Sequence, residues 1–197
     1  MSRPAAPGRT VRSRTGRMEA PKSPERRGGI QAAFSERFNA GSTKYRNGGG
    51  PAVSDFKPID PCYAARVRSS FEKQNVMKTI GAVLTRVAPG EVVIEWSYDA
   101  SLTQQHGYLH AGVVTTVVDS ACGYAAYTLM APDSEVLTIE YKVNFMAPAK
   151  GERFKGIGKV LRSGRTITVC SGDVVAMESR KEKVVATMLA TMISVAK

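Results

Sequence analysis

The chain has 197 residues, 43% of them hydrophobic, and a formal net charge of +11. This length accommodates one hydrophobic core of roughly 130 to 150 residues and excludes two full-sized domains. No stretch approaches the roughly 20 consecutive apolar residues of a membrane-spanning helix, and the N-terminus lacks the apolar segment of a secretory signal. The sequence therefore predicts a soluble protein without stable membrane insertion.

Residues 1–60 form a basic segment, with 12 Lys or Arg against 5 Asp or Glu, whereas residues 61–197 carry 16 against 12. The segment is rich in Arg, Pro, Ser and Gly and has little apolar periodicity, so it cannot bury enough surface to fold alone. We predict a disordered extension at 1–60 followed by one domain at 61–197. A transit peptide and a nucleic-acid or membrane contact are the alternatives, but Pro4 and Pro7 disfavour the amphipathic helix of a transit peptide. We prefer a solvated extension without nucleic-acid contact.

The predicted elements of the domain begin at Pro61, where a proline opening and helical spacing of apolar residues indicate a short helix. Residues 76–99 contain two β-rich runs joined at the Ala-Pro-Gly-Glu turn, which predicts a hairpin. The length and alanine content of 109–127 predict a long helix that ends before Pro132. Four further strands are predicted at 136–145, 153–161, 166–177 and 183–195. This order predicts an α+β fold in which an antiparallel sheet of about six strands wraps the long helix.

The long helix, LHAGVVTTVVDSACGYAAY, contains a single carboxylate, Asp119, among apolar, small and hydroxylic residues. An ionised Asp in a packed core is strongly unfavourable unless hydrogen bonds or charges compensate it. Helical periodicity places Asp119 opposite the face that we expect to pack on the sheet, which comprises Val113, Val117, Ala121, Tyr124 and Thr128. The Asp119 face also holds Thr115, Cys122 and Ala126, and we expect it to leave room for a ligand. Alternatively, Asp119 accepts a hydrogen bond from a partner chain and fixes register.

The start of this helix offers a second feature, because Gly107, His110 and Gly112 lie just before or inside its first turn. Free N–H groups and the positive end of the helix dipole favour a carbonyl oxygen that becomes an oxyanion. The donors would be the backbone N–H groups of Ala111 and Gly112. A glycine at a helix start is equally common as simple punctuation.

Together these motifs resemble the hotdog-fold acyl-CoA thioesterases of the phenylacetate-pathway (PaaI-like) type. The segment GYLHAGVVTTVVD is similar to the start of that family's central helix, with Gly107, His110, Gly112 and Asp119 in the family's places. The later IEYKVNFMAPAKGE looks like the strand and turn that follow the helix in that family. The resemblance covers roughly residues 62–195 and implies hydrolysis of acyl-CoA thioesters, with medium or long acyl chains, in fatty acid metabolism and without a cofactor.

The resemblance also implies catalytic roles. Asp119 would be the nucleophile or the general base that activates water, and Gly112 and Ala111 would polarise the thioester carbonyl. Ala111 replaces a glycine of the family, and Gln104 replaces an Asn that positions water in many relatives. Thr138 stands where some relatives carry a catalytic Ser, although a β-branched residue in a strand needs no such role.

Coenzyme A would bring phosphates to the basic turn KVLRSGRT, where the family often docks them. The residues for this contact are Lys159, Arg162 and Arg165. The alternative for these charges is an ordinary solvated hairpin.

Other chemistries remain open. His106 and His110 are four residues apart, but the helix boundary between them and the lack of a third ligand argue against a metal site, so His110 is expected to cap and orient the loop. A hydratase or dehydratase would use His110 together with the acid. A non-catalytic acyl-CoA sensor would use the same pocket for binding alone.

Helix geometry predicts an active site shared between two chains. The nine residues from His110 to Asp119 span about 13 Å and about 900° of turn, which places the two on opposite sides of the helix. If both act on one carbonyl, a second copy of the helix must supply one of them. We therefore expect a homodimer or a dimer of dimers.

The three cysteines, Cys62, Cys122 and Cys170, are odd in number and far apart in the sequence. This pattern favours reduced thiols over a disulfide framework or a metal cluster. We expect a cytoplasmic protein, or a mitochondrial matrix protein if the Arg-rich N-terminus is a transit peptide.

Overall fold

The computed structural model describes residues 56–179 and 181–197. The prediction of a disordered basic extension therefore concerns residues that lie almost entirely outside the described part. The described residues form three α-helices, one 3-10 turn at Ala100–Leu102 and six strands: α1 Tyr63–Phe71, α2 Asn75–Ile80, β1 Val83–Ala88, β2 Glu91–Ser97, α3 Ala111–Tyr127, β3 Ser134–Phe145, β4 Arg153–Ser163, β5 Ile167–Glu178 and β6 Lys181–Ala196.

The six strands form one antiparallel sheet in the order β1-β2-β4-β5-β6-β3. The β1–β2 hairpin, whose turn has Gly90 at a φ of 75°, lies at one edge of the sheet. Helix α3 connects this hairpin to β3, which forms the opposite edge. Helix α3 packs against β2, β3, β4, β5 and β6. The predicted long helix wrapped by an antiparallel sheet is confirmed.

The close packing of α3 on the sheet depends on glycines of β4. A Cβ atom at Gly158 would lie 2.3 Å from the backbone carbon and oxygen of Ala121, and a Cβ at Gly156 would lie 3.1 Å from a methyl group of Val117. Only glycine lets a strand approach a helix backbone this closely. The central helix therefore sits directly on the backbone of β4.

An arginine of α1 holds the C-terminal end of α3. Arg66 donates to the backbone carbonyls of Tyr127, Met130 and Ala131 at 2.6–3.1 Å, and its Nε lies 2.9 Å from a carboxylate oxygen of Asp60. The guanidinium also stacks over the Tyr127 ring, 4.2 Å from the ring centroid. Because the last carbonyls of a helix carry partial negative charge, this cation satisfies and stabilises the helix end.

Two local predictions are wrong. Residues 76–80, expected at the start of a strand, belong to the short helix α2 Asn75–Ile80, which ends at Gly81 with a φ of 71°. Cys122 and Ala126, expected on an open face of α3, are fully buried. Cys122 lies against Gly158 of β4 and Gly172 of β5, so the sheet covers part of the face that carries Asp119.

Packed residues begin upstream of the predicted boundary between residues 60 and 61. The ring of Phe56 lies against Gly90 in the β1–β2 turn, and Asp60 is buried in its ion pair with Arg66. No helix within the described ranges is long and apolar enough to cross a membrane.

Candidate active site

The carboxylate of Asp119 and the hydroxyl of Thr138 are the centre of the candidate site. Asp119 lies partly buried on α3, and Thr138 Oγ1 donates a hydrogen bond of 2.9 Å to its Oδ1 from β3. Burial raises the pKa of Asp119 above its ordinary value, and the Thr138 hydrogen bond opposes this shift. The structure thus joins two residues that are 19 positions apart in the sequence and that the family resemblance singled out separately.

The Thr138 hydroxyl has a second neighbour on the adjacent strand. Its oxygen lies 3.3 Å from the sulfur of Met192, which pairs with Thr138 across β3 and β6 and is fully buried. A hydroxyl has one proton to donate, and a carboxylate accepts it more strongly than a thioether does. The sequence does not single out Met192, because nothing in an apolar strand pattern marks a methionine that will lie beside a polar side chain of the candidate site.

His110 caps the N-terminus of α3. Its Nδ1 accepts a hydrogen bond of 2.9 Å from the backbone N–H of Gly112, so a neutral ring carries its proton on Nε2. The Gly112 N–H is therefore occupied by the chain's own imidazole. The Ala111 N–H has no acceptor within the described part of the chain. Of the two predicted oxyanion donors, Ala111 is therefore the one that can bind an oxygen without first breaking a hydrogen bond.

Gln104 belongs to the tight turn that precedes α3. Its side-chain carbonyl accepts a hydrogen bond from the backbone N–H of His106, and Gly107 continues the turn with a φ of 79°. An isolated antiparallel bridge between Thr103 and Leu109 closes this loop. The Gln104 carbonyl is thus used inside the turn, and its amide nitrogen is the group left to contact a ligand.

The basic residues predicted to bind CoA are not beside Asp119 in this chain. Lys159 and Arg162 flank Val160, which is buried against the α3 side of the sheet, and they pair with outward-facing positions of β5. Lys159 lies 3.7 Å from a carboxylate oxygen of Glu91. Arg165 is exposed in the β4–β5 turn. All three lie on the outer sheet face or at its rim.

A surface depression of about 450 Å³ lies elsewhere, at the β5–β6 end of the sheet. Charged side chains of both signs line it, and the Lys155–Glu182 ion pair of 2.9 Å lies in its wall. Apolar acyl groups do not favour such surroundings. Within residues 56–179 and 181–197 there is no cluster of three or more His, Cys, Asp or Glu side chains that could hold a metal ion.

A long helix enclosed by a six-stranded antiparallel sheet defines the hotdog class of α+β proteins. The thioesterase family protein from Silicibacter pomeroyi has the same fold, with a TM-score of 0.68 and 50% sequence identity over 68% of this chain and 99% of that one. Residues 106–183 match the sequence description of the thioesterase superfamily, and the chain belongs to this family.

More distant relatives agree. Human acyl-coenzyme A thioesterase 13 is 26% identical over 110 residues, which cover 55% of this chain and 78% of that protein. The PaaI protein from the phenylacetic acid degradation operon of Escherichia coli has a TM-score of 0.61 at 16% identity, over 68% of this chain and 94% of that one. The PaaI comparison carries the fold alone.

Proposed function

We propose that this protein hydrolyses acyl-CoA thioesters to the free acid and CoA. The observation that carries the proposal is the Asp119 carboxylate, which has a raised pKa and a hydroxyl donor at 2.9 Å in a chain of the thioesterase superfamily. The name of the human relative, acyl-coenzyme A thioesterase 13, supports the substrate class. We assign a medium- or long-chain acyl group to the substrate, as expected of an enzyme of fatty acid metabolism.

In this proposal, Asp119 takes a proton from a water molecule that attacks the thioester carbonyl. A carboxylate with a raised pKa is a better base near neutral pH than an ordinary Asp, and the Thr138 hydroxyl orients it. A thiolate leaves readily, so the step requires little acid catalysis. Direct attack by Asp119 is the other form of the mechanism. Hydrolysis in ¹⁸O-labelled water for a single turnover distinguishes them, because only direct attack labels the Asp119 side chain.

The oxyanion that forms on the carbonyl requires donors at the start of α3. We assign this role to the Ala111 N–H, with the Gly112 N–H joining it if the substrate oxygen displaces His110 Nδ1. The Nε2–H of His110 is a further donor at the same helix end. Gln104 would contact the attacking water through its amide nitrogen, and Lys159, Arg162 and Arg165 would contact CoA phosphates at the rim of the sheet.

We further propose that two copies of the chain pair through β3. This 12-residue strand is an edge of the sheet and exposes Leu137 and Ile139. A long apolar edge strand is a template for pairing with another chain. Pairing across a two-fold axis brings two α3 helices side by side, so that Asp119 of one copy and the helix start of the other can meet one thioester.

Mixed dimers test the shared site. An Asp119→Asn chain and a Gly112→Val chain are each expected to be inactive, since a side chain at position 112 meets the His110 ring at 3.1 Å. Shared sites predict that the mixture regains activity, because one of the two sites in each heterodimer keeps both halves. Inactive heterodimers, with their formation verified by mass spectrometry, would place each site within one chain.

Thiol release across a series of acyl-CoA substrates tests the function itself. We expect turnover that is highest for medium or long acyl chains. Hydration of an enoyl-CoA without thiol release would identify a hydratase instead, and binding of acyl-CoA without turnover would identify a sensor. The free thiols of Cys62, Cys122 and Cys170 fit the reducing cytoplasm that we assign to the protein.

A further inference from the structure

A β-bulge lies in β3 immediately after Thr138. The register of β3 on β6 shifts between Thr138, which pairs with Met192, and Glu140, which pairs with Thr191. Ile139 is thus the extra residue, with no partner of its own. A bulge of one residue reverses the alternation of side chains between the two faces of a strand.

This reversal places Tyr141 on the same face as Thr138. Tyr141 pairs with Ala190, and Ala190 and Met192 are both fully buried on the α3 side of β6. Since these partners are two residues apart, Thr138 and Tyr141 are neighbours on that face, about 7 Å apart along the strand. The ring of Tyr141 is therefore the next β3 side chain after the hydroxyl that bonds Asp119.

The bulge also turns a carboxylate away from the site. Glu140 accepts a hydrogen bond of 3.1 Å from the hydroxyl of Thr191 on the outer face of the sheet. In a regular strand, Glu140 would occupy the position that Tyr141 takes, and a second negative charge would stand beside Asp119. The bulge thus replaces a carboxylate by an aromatic ring at this position.

Three side chains continue this surface along β3: Tyr141, Val143 and Phe145, which we call the β3 wall. Their partners on β6 are Ala190, Met188 and Ala186, all buried on the α3 side. Tyr141 and Phe145 are each 48% exposed, and neither ring contacts another aromatic ring in the described part of the chain. An apolar surface of this kind, beside a carboxylate, is suited to the apolar part of a ligand.

We propose that the β3 wall binds the acyl group of the thioester and that Tyr141 determines which acyl groups are accepted. The proposal rests on the proposed function, because it takes Asp119 as the point where the thioester carbon lies. An acyl group that extends from that point along β3 meets the Tyr141 ring first and Phe145 last. An acetyl group is too short to reach the Tyr141 ring, whereas an octanoyl group is long enough to contact it.

Kinetics with acetyl-CoA and octanoyl-CoA test the role of Tyr141. We expect Tyr141→Ala to lower kcat/KM for octanoyl-CoA by about tenfold or more, since even one methylene contact in an apolar site contributes a factor of about ten. The same variant should leave kcat/KM for acetyl-CoA within about twofold, and Tyr141→Phe should keep the wild-type ratio. Lys142→Ala is the matched control, because Lys142 pairs with Leu189 on the outer face.

The ratio of the two kcat/KM values decides the outcome. A Tyr141→Ala variant that loses activity equally on both substrates would overturn the proposal and make Tyr141 a structural residue. A Lys142→Ala variant that changes the ratio as much as Tyr141→Ala would overturn it too.

A labelling experiment tests the wall even if the wild-type protein releases no thiol from any acyl-CoA. In a Cys62→Ala background, the remaining native thiols of Cys122 and Cys170 are buried, so a thiol introduced by Tyr141→Cys or by Lys142→Cys is the reactive one. We expect S-octyl-CoA, a thioether that cannot be hydrolysed, to slow alkylation of the Tyr141→Cys protein and not of the Lys142→Cys protein.

Equal protection of both variants, or no protection of either, would contradict binding at the wall. Slow alkylation of the Tyr141→Cys protein without ligand, which accelerates on dilution, would show that a second copy of the chain covers the wall instead. If the wild-type protein releases no thiol from any acyl-CoA while S-octyl-CoA still protects the Tyr141→Cys protein from alkylation, the proposed hydrolysis is rejected. The proposal that the β3 wall binds an acyl group then still holds.

Discussion

Replacing Gly158 by alanine should separate α3 from the sheet and weaken the candidate site at once. The new Cβ would lie 2.3 Å from the Ala121 backbone carbon and oxygen and 2.5 Å from the Cys122 nitrogen. Since non-bonded carbon contacts require about 3.5 Å, the helix must move by about 1 Å. Overpacking of a core typically destabilises by about 1–3 kcal/mol, and a backbone contact cannot relax by rotation. We expect a loss of about 3 kcal/mol and a melting temperature lower by about 10 °C.

The same displacement should reduce catalysis, because Asp119 lies on the displaced helix, two residues from Ala121. Moving the helix would disturb the 2.9 Å hydrogen bond between Thr138 and Asp119. Chemical denaturation and thiol release measure the two effects. Gly156→Ala is the matched control on the same strand and face: its Cβ would lie 3.1 Å from a side-chain methyl group of Val117, which can shift. A Gly158→Ala protein as stable and active as Gly156→Ala would refute the argument that α3 rests on the β4 backbone.

Three further outcomes are expected. Arg66→Met should lower the free energy of unfolding by about 3 kcal/mol, because it removes the ion-pair partner of buried Asp60 and a donor from three backbone carbonyls at and just beyond the end of α3. Exposed Arg68→Met should change it by less than about 1 kcal/mol in the same denaturation assay. Thr138→Val removes a hydrogen bond that lowers the pKa of Asp119, so the acidic limb of the pH–rate profile should move to higher pH; an unchanged limb would disconnect Thr138 from the titrating group. Deleting residues 1–55 should leave melting temperature and activity unchanged, as measured by calorimetry and thiol release, and loss of folding would show that the domain extends upstream.

Much of the fold could be predicted because its signals are periodic. The length and alanine content of α3 and the β-rich runs around Gly90 were sufficient for the central helix and the first hairpin. Asn75–Ile80 was not predictable in this way, because Val76 and Ile80 suit a strand as well as a helix when a segment is this short. The Gly81 C-cap, with its φ of 71°, is the signal that favours a helix end at this point.

The candidate site was only partly predictable for a similar reason. Asp119 is identifiable as a lone carboxylate in an apolar helix, and its partner Thr138 as a position in a resembling family. The Ile139 bulge has no sequence signature, so alternation places Glu140 where the structure has Tyr141. The ion pair between Lys159 and Glu91 depends on the register of β2 against β4, which cannot be read from the sequence alone.

The central claim is that the Asp119 carboxylate performs the chemistry, and thiol release by the Asp119→Asn protein tests it most directly. The substitution keeps the shape and removes the base, so turnover should fall by at least about 100-fold while S-octyl-CoA still binds. Because burial raises the pKa of Asp119, its ionisation weakens the folded state as the pH rises through that pKa. The melting temperature of the variant at pH 7 should therefore be no lower than that of the wild type. Near-normal turnover by a folded Asp119→Asn protein would contradict the account and leave Asp119 a structural residue.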